Sequence, residues 1–129
     1  MATLLGKPMV GHVHDRVASC QLVHTTAVAT CDEEIAEYVT SSGGLAVMTS
    51  PTHERASDRC AEALRTLEEE LEEDFDVVVM VQGDEPMTHP NMIAEALLPF
   101  YHDDSVEVAN LLGSITSHAE FVDPNCIKV

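Results

Sequence analysis

The segment Val77-Val78-Val79-Met80-Val81-Gln82-Gly83-Asp84-Glu85-Pro86 decides how the rest of the chain is read. Its five apolar residues, four of them β-branched, predict a buried strand of a parallel sheet. The glycine flanked by polar groups ends that strand, and Pro86 forbids its continuation. In an open α/β sheet, ligands gather at the carboxyl ends of strands. Asp84 and Glu85 fall at that end, and they are hard oxygen donors of the kind that suits Mg²⁺ carrying nucleotide phosphates. Taken alone, the tripeptide also reads as a plain acidic turn, so the surrounding sequence has to decide.

Working outward, strand and helix signals alternate, which predicts a parallel α/β sheet. Pro8 suits the first turn of a helix carrying Met9, Val13, Val17 and Cys20 at helical spacing. His24 to Thr30 reads as a short strand. Asp32 can cap a second helix, in which Ile35, Ala36 and Val39 face inward and which Gly43-Gly44 ends. Leu45 to Thr49 is the next strand. Ser57 is expected to cap a long helix with Cys60, Leu64, Leu67 and Leu71 as its apolar stripe, and the run Glu68 to Asp74 as its solvated side. Pro90 opens a further helix that Pro99 should end or kink. Val106 to Leu112 reads as a strand, Ser117 to Phe121 as a short helical turn, and Ile127 to Val129 as the start of another strand. With no repeat, linker or low-complexity stretch, residues 1–129 read as one domain.

Composition excludes several functions. The chain carries 6 Lys plus Arg against 23 Asp plus Glu, a formal net charge of −17. Such a surface repels phosphate backbones, which argues against nucleic-acid binding. It fits either a local acidic helix face or adaptation to high salt, and lysine at positions 7 and 128 alone favours the second. No apolar run approaches the roughly 20 residues of a membrane span, and no targeting segment opens the chain; a cytoplasmic protein is expected. Cys20, Cys31, Cys60 and Cys126 form no paired motif, which points to thiols in a reducing compartment rather than a zinc site or disulfide framework.

Five ordered motifs carry a resemblance that covers almost the whole chain. Val81 to Pro86 matches the V-Q-G-D-E-P signature of the CMP-Kdo synthetases, the 3-deoxy-manno-octulosonate cytidylyltransferases. Gly6-Lys7-Pro8-Met9 with His12, Val13 and Arg16 resembles the family's G-K-P-M-I-x-H-V-x-x-R. Val28 to Ala36 resembles V-A-T-D-D-E-x-I-A, and Val47 to Arg59 resembles V-M-T-S-x-x-H-x-S-G-T-D-R. Pro124-Asn125 with Lys128-Val129 resembles N-P-N-x-V-K-V.

This resemblance implies an incomplete α/β three-layer sandwich of the nucleotide-diphospho-sugar transferase type, truncated at both ends. The implied reaction is attack of a Kdo hydroxyl on the α-phosphorus of CTP, with release of pyrophosphate and with Mg²⁺ as cofactor. Asp84 would be the metal ligand and catalytic residue. Gln82 and Gly83 would shape the ribose and phosphate approach, and His53, Ser57 and Arg59 would belong to the nucleotide-recognition loop. Arg59 could equally stiffen that loop, and Ser57 could serve as the helix cap. Lys7 matches the second, structural G-K-P motif. Ala56 stands where the family has glycine, so a loop needing positive φ would be strained there. The family's triphosphate loop, its second metal-binding aspartate and its sugar pocket have no counterpart in these residues. A sheet without its first strand would expose an edge and favour homo-oligomers. The alternative is a non-catalytic remnant or interaction module that keeps the fold, and a related enzyme acting on another acidic sugar stands third.

Overall fold

The pairing at the centre of the structure is short and parallel. In a computed structural model describing residues 1–126, β3 (Ala27–Thr30) runs beside β4 (Leu45–Met48), in the register Ala27↔Leu45 to Thr30↔Met48. Parallel neighbours need a crossover, and α2 (Glu33–Ser41) supplies it. Asp32 caps this helix as its sequence position predicts, its carboxylate accepting from the Glu34 N–H at 2.9 Å. The helix stops at Ser41, and Gly43 takes φ +81°, where glycine carries no steric penalty.

Side chains alternate across a strand, and one face of the pair is covered by α3 (Ala56–Leu71). Val47, Ala63 and Leu67 form the buried cluster there, with Ala27, Ala29, Leu45 and Phe75 packed against it. The expected stripe holds at Leu67, which is buried, and at Cys60 and Leu64, which are half-buried; Ala63 joins it, whereas Leu71 is exposed. Arg55, not Ser57, occupies the N-cap of α3, and it makes no capping side-chain bond. At the other end Glu72 adopts a left-handed φ of 53°. Glu68 is more than solvated surface here: its carbonyl accepts from Glu73 N–H at 3.3 Å and its carboxylate from Phe75 N–H at 3.2 Å.

The helix α1 (Met9–Ala18) is preceded by a hairpin that periodicity did not predict. β1 (Thr3–Leu4) pairs antiparallel with β2 (Lys7–Pro8). The connecting residues Leu5 and Gly6 have φ of 51° and 81°, as a two-residue type I′ turn demands. His12 Nε2 lies 2.8 Å from the Leu4 carbonyl, and the Met9 N–H donates to the Ala2 carbonyl at 3.0 Å. Lys7 pairs with Asp15, whose carboxyl is thereby held below the ordinary range. Gly11 lets α1 and α2 approach, since a Cβ there would collide with the Tyr38 hydroxyl.

Two strand expectations fail. Val77 to Gln82 joins no ladder, and Val77, Val78 and Met80 are exposed instead of buried. Val106 to Leu112 likewise forms no strand. The sheets among the described residues are two-stranded, β1 with β2 and β3 with β4. A run with strand composition still needs a hydrogen-bonding neighbour at its edge, and neither segment has one. Pro99 sits inside α4 (Pro90–His102) without ending it, and α5 (His118–Val122) forms with Ser117 as its N-cap, the Ser117 hydroxyl accepting from Glu120 N–H at 3.2 Å. The expected strand at 127–129 lies outside the described residues. The chain divides into compact units Met1–Ala94 and Glu95–Val129; the features below belong to the first. No described helix is long and apolar enough to cross a membrane.

Two substitutions test these local arguments by thermal or denaturant unfolding. Asp32→Ala should cost about 1 kcal/mol through loss of the α2 cap. Leu5→Asn should stabilise the chain by up to about 1 kcal/mol, because asparagine tolerates the left-handed region far better than leucine.

Candidate functional site

Along β3 the first unit carries a cleft of about 580 Å³. Ala27 to Thr30 line it, as do Met9, Val13 and Val17 of α1, Ala56, Arg59 and Cys60 of α3, and the segment Val79 to Asp84. Much of the wall is therefore apolar. Its polar lining includes Thr30, Arg59, Gln82, Gly83 and Asp84, so four residues predicted from the sequence share one lining.

Gln82 to Glu85 form a turn closed by the Glu85 N–H donating to the Gln82 carbonyl at 3.1 Å, with Gly83 and Asp84 at its centre. All three of Gln82, Gly83 and Asp84 are exposed. A Cβ on Gly83 would meet no protein atom within 4 Å, and its φ is not in the left-handed region. Nothing within the protein thus requires glycine at that position. A second turn, Thr88 N–H to the Glu85 carbonyl at 3.1 Å, follows, and Arg16 donates from α1 to the Thr88 carbonyl at 3.4 Å. Arg16 was visible in the sequence only as part of a motif; its tie to this loop spans 72 residues.

The loop from Thr49 to Arg59 reaches the same cleft through Ala56 and Arg59. Arg59 turns its guanidinium onto the Thr49 hydroxyl and the Ser50 carbonyl, the latter at 3.3 Å, so of its two expected roles the structure displays loop stiffening. His53 does not line the cleft; its imidazole pairs with Glu62 of α3. The same carboxylate accepts the Ser50 N–H, at 3.0 Å to Oε2 and 3.2 Å to Oε1. His53 first and Ser50 second hold the Glu62 carboxyl below its ordinary range. Sequence reasoning missed Glu62, because it looks like one more acidic residue of an acidic helix.

Ser57 is exposed and stands apart from the cleft. Its neighbour Ala56 is an ordinary first helical residue; the positive-φ residues without glycine are Leu5 and Glu72, so the strain expected from alanine does not arise. Cys60 lines the cleft, and burial pushes its thiol up while Arg59 pulls the other way. Among the described residues no cluster of three His, Cys, Asp or Glu side chains is placed to hold a metal. Asp84 would have to act as the single protein carboxylate, an arrangement that Mg²⁺ accepts when phosphates and waters complete its shell.

Residues 1–129 match a family described as Cytidylyltransferase. The chain is 44% identical over its full length to a 3-deoxy-manno-octulosonate cytidylyltransferase of Geobacter metallireducens, covering 48% of that protein. It is 45% identical to one from Geotalea uraniireducens, covering 49%, and 43% identical to one from Brucella anthropi, covering 50%. It thus spans about half the length of the curated relatives it matches. Among solved structures it resembles CMP:2-keto-3-deoxy-manno-octonic acid synthetase complexed with CTP. The TM-score is 0.73 at 31% identity, over 81% of this chain and 41% of that one.

The acid response of the loop follows from Glu62. Its carboxyl titrates lower in the folded chain than the ordinary 4.5, so the contacts it makes stabilise fully above that value. They are lost as pH falls through the depressed folded pKa. The Ser50 amide resonance should therefore show a titration step with its midpoint below 4.5.

Proposed function

This chain belongs to the cytidylyltransferase family, and from that premise we propose that it serves the activation of Kdo: CTP and the sugar acid give CMP-Kdo and pyrophosphate. The observation that carries the proposal is the polar part of the cleft lining. The Gln82–Glu85 turn presents Asp84 beside a glycine that the fold itself does not need.

In this reading a hydroxyl oxygen of the sugar acid attacks the α-phosphorus of CTP. A new O–P bond forms, the bond from the α-phosphorus to the bridging oxygen breaks, pyrophosphate leaves, and the hydroxyl proton passes to solvent. Transfer of this kind depends on positioning and on neutralising phosphate charge. Mg²⁺, when bound, would supply that neutralisation, and Asp84 is the residue that would hold it. Gly83 leaves room for phosphate or ribose to approach the turn backbone. Gln82 offers an amide donor and acceptor to the nucleotide. The loop from Thr49 to Arg59 supplies backbone and hydroxyl groups able to read a base.

Because Arg59 and His53 are engaged by the protein itself, the Asp84 carboxylate is the group here through which phosphate charge would be met, by way of its cation. That engagement also favours a second reading, a binding module that keeps the fold and holds a nucleotide without turning it over. A cytoplasmic, homo-oligomeric enzyme remains part of the first proposal, in keeping with a soluble nucleotide and sugar-acid pair.

Pyrophosphate release from CTP plus Kdo with Mg²⁺, at low and high salt, separates the two. Release that disappears in Asp84→Asn supports the enzyme. No release from folded protein that still binds CTP supports the module, and folded protein that binds no CTP removes both.

A further inference from the structure

The loop between β4 and α3 is held largely by side chains, and Glu62 of α3 ties two of its residues, Ser50 and His53, while Arg59 ties Thr49 and Ser50. Pro51 and Thr52 form a local turn, in which the Thr52 N–H donates to the Ser50 hydroxyl at 3.2 Å, and no backbone–backbone hydrogen bond ties residues 50–54 to a neighbouring element. Pro51, Thr52, Glu54 and Arg55 are exposed, and α3 begins without a side-chain cap. A segment with so little backbone support would sample many conformations, at an entropic cost for any ligand that needed one of them. Instead both oxygens of Glu62 accept the Ser50 N–H, one of them also meets His53, and the Ser50 hydroxyl lies 2.7 Å from that of Thr52. The carboxylate sits in the second turn of α3, three residues beyond Arg59, so helix geometry sets both groups against the loop.

We propose that Glu62 is a positioning residue for the nucleotide site: with His53 as its partner, it anchors in one conformation the Thr49–Arg59 loop, whose Ala56 and Arg59 line the cleft. The proposal rests on the nucleotide reading above for its ligand but not for its mechanics. Glu62 does not line the cleft, so its effect on a ligand is indirect. A charge-assisted acceptor is needed, because a neutral amide would accept from Ser50 yet bind both Ser50 and His53 less strongly.

Amide hydrogen exchange and CTP titration in the presence of Mg²⁺, both followed by NMR on the full chain, test this with Glu62→Gln and Glu62→Ala. In Glu62→Ala, exchange at Ser50 should speed up by about tenfold or more, as expected for loss of hydrogen bonds to a charged group. Amides of α2 and of the last turns of α3 should be unchanged. CTP affinity should fall in parallel, with Glu62→Gln intermediate in both. Unchanged exchange at Ser50 would overturn the anchor. Faster exchange with unaltered CTP affinity would overturn its role at the site. If the unmutated chain bound no CTP, the nucleotide reading would fail by itself, and the exchange series would still decide whether Glu62 anchors the loop.

Discussion

The parallel contact of β3 with β4 is the constraint on which the rest of the first unit depends. Four residue pairs define it, and the Thr49 N–H extends it by donating to the Thr30 carbonyl at 2.8 Å. Because the strands run the same way, their carboxyl ends emerge together, and the α2 cap and the loop into α3 start from the same edge. A slip of one residue would reverse every side chain. Val47 would leave the cluster it shares with Ala63 and Leu67, and Thr30 and Thr49, both buried, would lose the hydrogen bonds that accompany their burial. The site is thus placed by a pairing of which one strand, β3, also lines the cleft.

Charge shapes the same region in a way the total does not convey. In a chain of net charge −17 with 6 Lys plus Arg, three of the cations are used as internal ties. Lys7 pairs with Asp15, Arg16 reaches the Thr88 carbonyl, and Arg59 clasps Thr49 and Ser50. Each holds a loop or hairpin to a helix. Polyanionic ligands approaching such a surface meet repulsion at long range, so they favour arrival with a counter-ion. The acidic excess also contributes specific structure: Asp32 caps α2, Glu62 anchors a loop, and Glu68 satisfies an amide past the end of α3.

Helices were legible in the residues because their determinants are local. Apolar spacing, Asp32 as a cap, Gly43 past a helix end and Pro90 at a helix start all act within a turn or two of the backbone, and α1 to α5 appear close to their expected places. The strands divide by partner. Ala27–Thr30 and Leu45–Met48 find each other across one crossover, whereas Val77 to Gln82, with the stronger strand composition, finds no ladder. The hairpin at Thr3–Pro8 was illegible for the opposite reason, since Leu5 is a residue that ordinarily avoids the left-handed turn it occupies.

The sequence by itself determined the family, through ordered motifs, and it determined the helices and the Gln82-Gly83-Asp84 corner, because each is written in residues adjacent along the chain. Tertiary structure alone decided that Arg59 turns inward to its own loop, that Arg55 rather than Ser57 stands at the start of α3, and that Glu62 and Glu68 among many glutamates accept backbone amides from beyond their helix. Those outcomes depend on which groups meet across 9, 10, 12 or 72 residues of separation. Composition and periodicity carry no record of such meetings, since an acidic side chain on a helix has the same local signature whether it faces water or holds a loop.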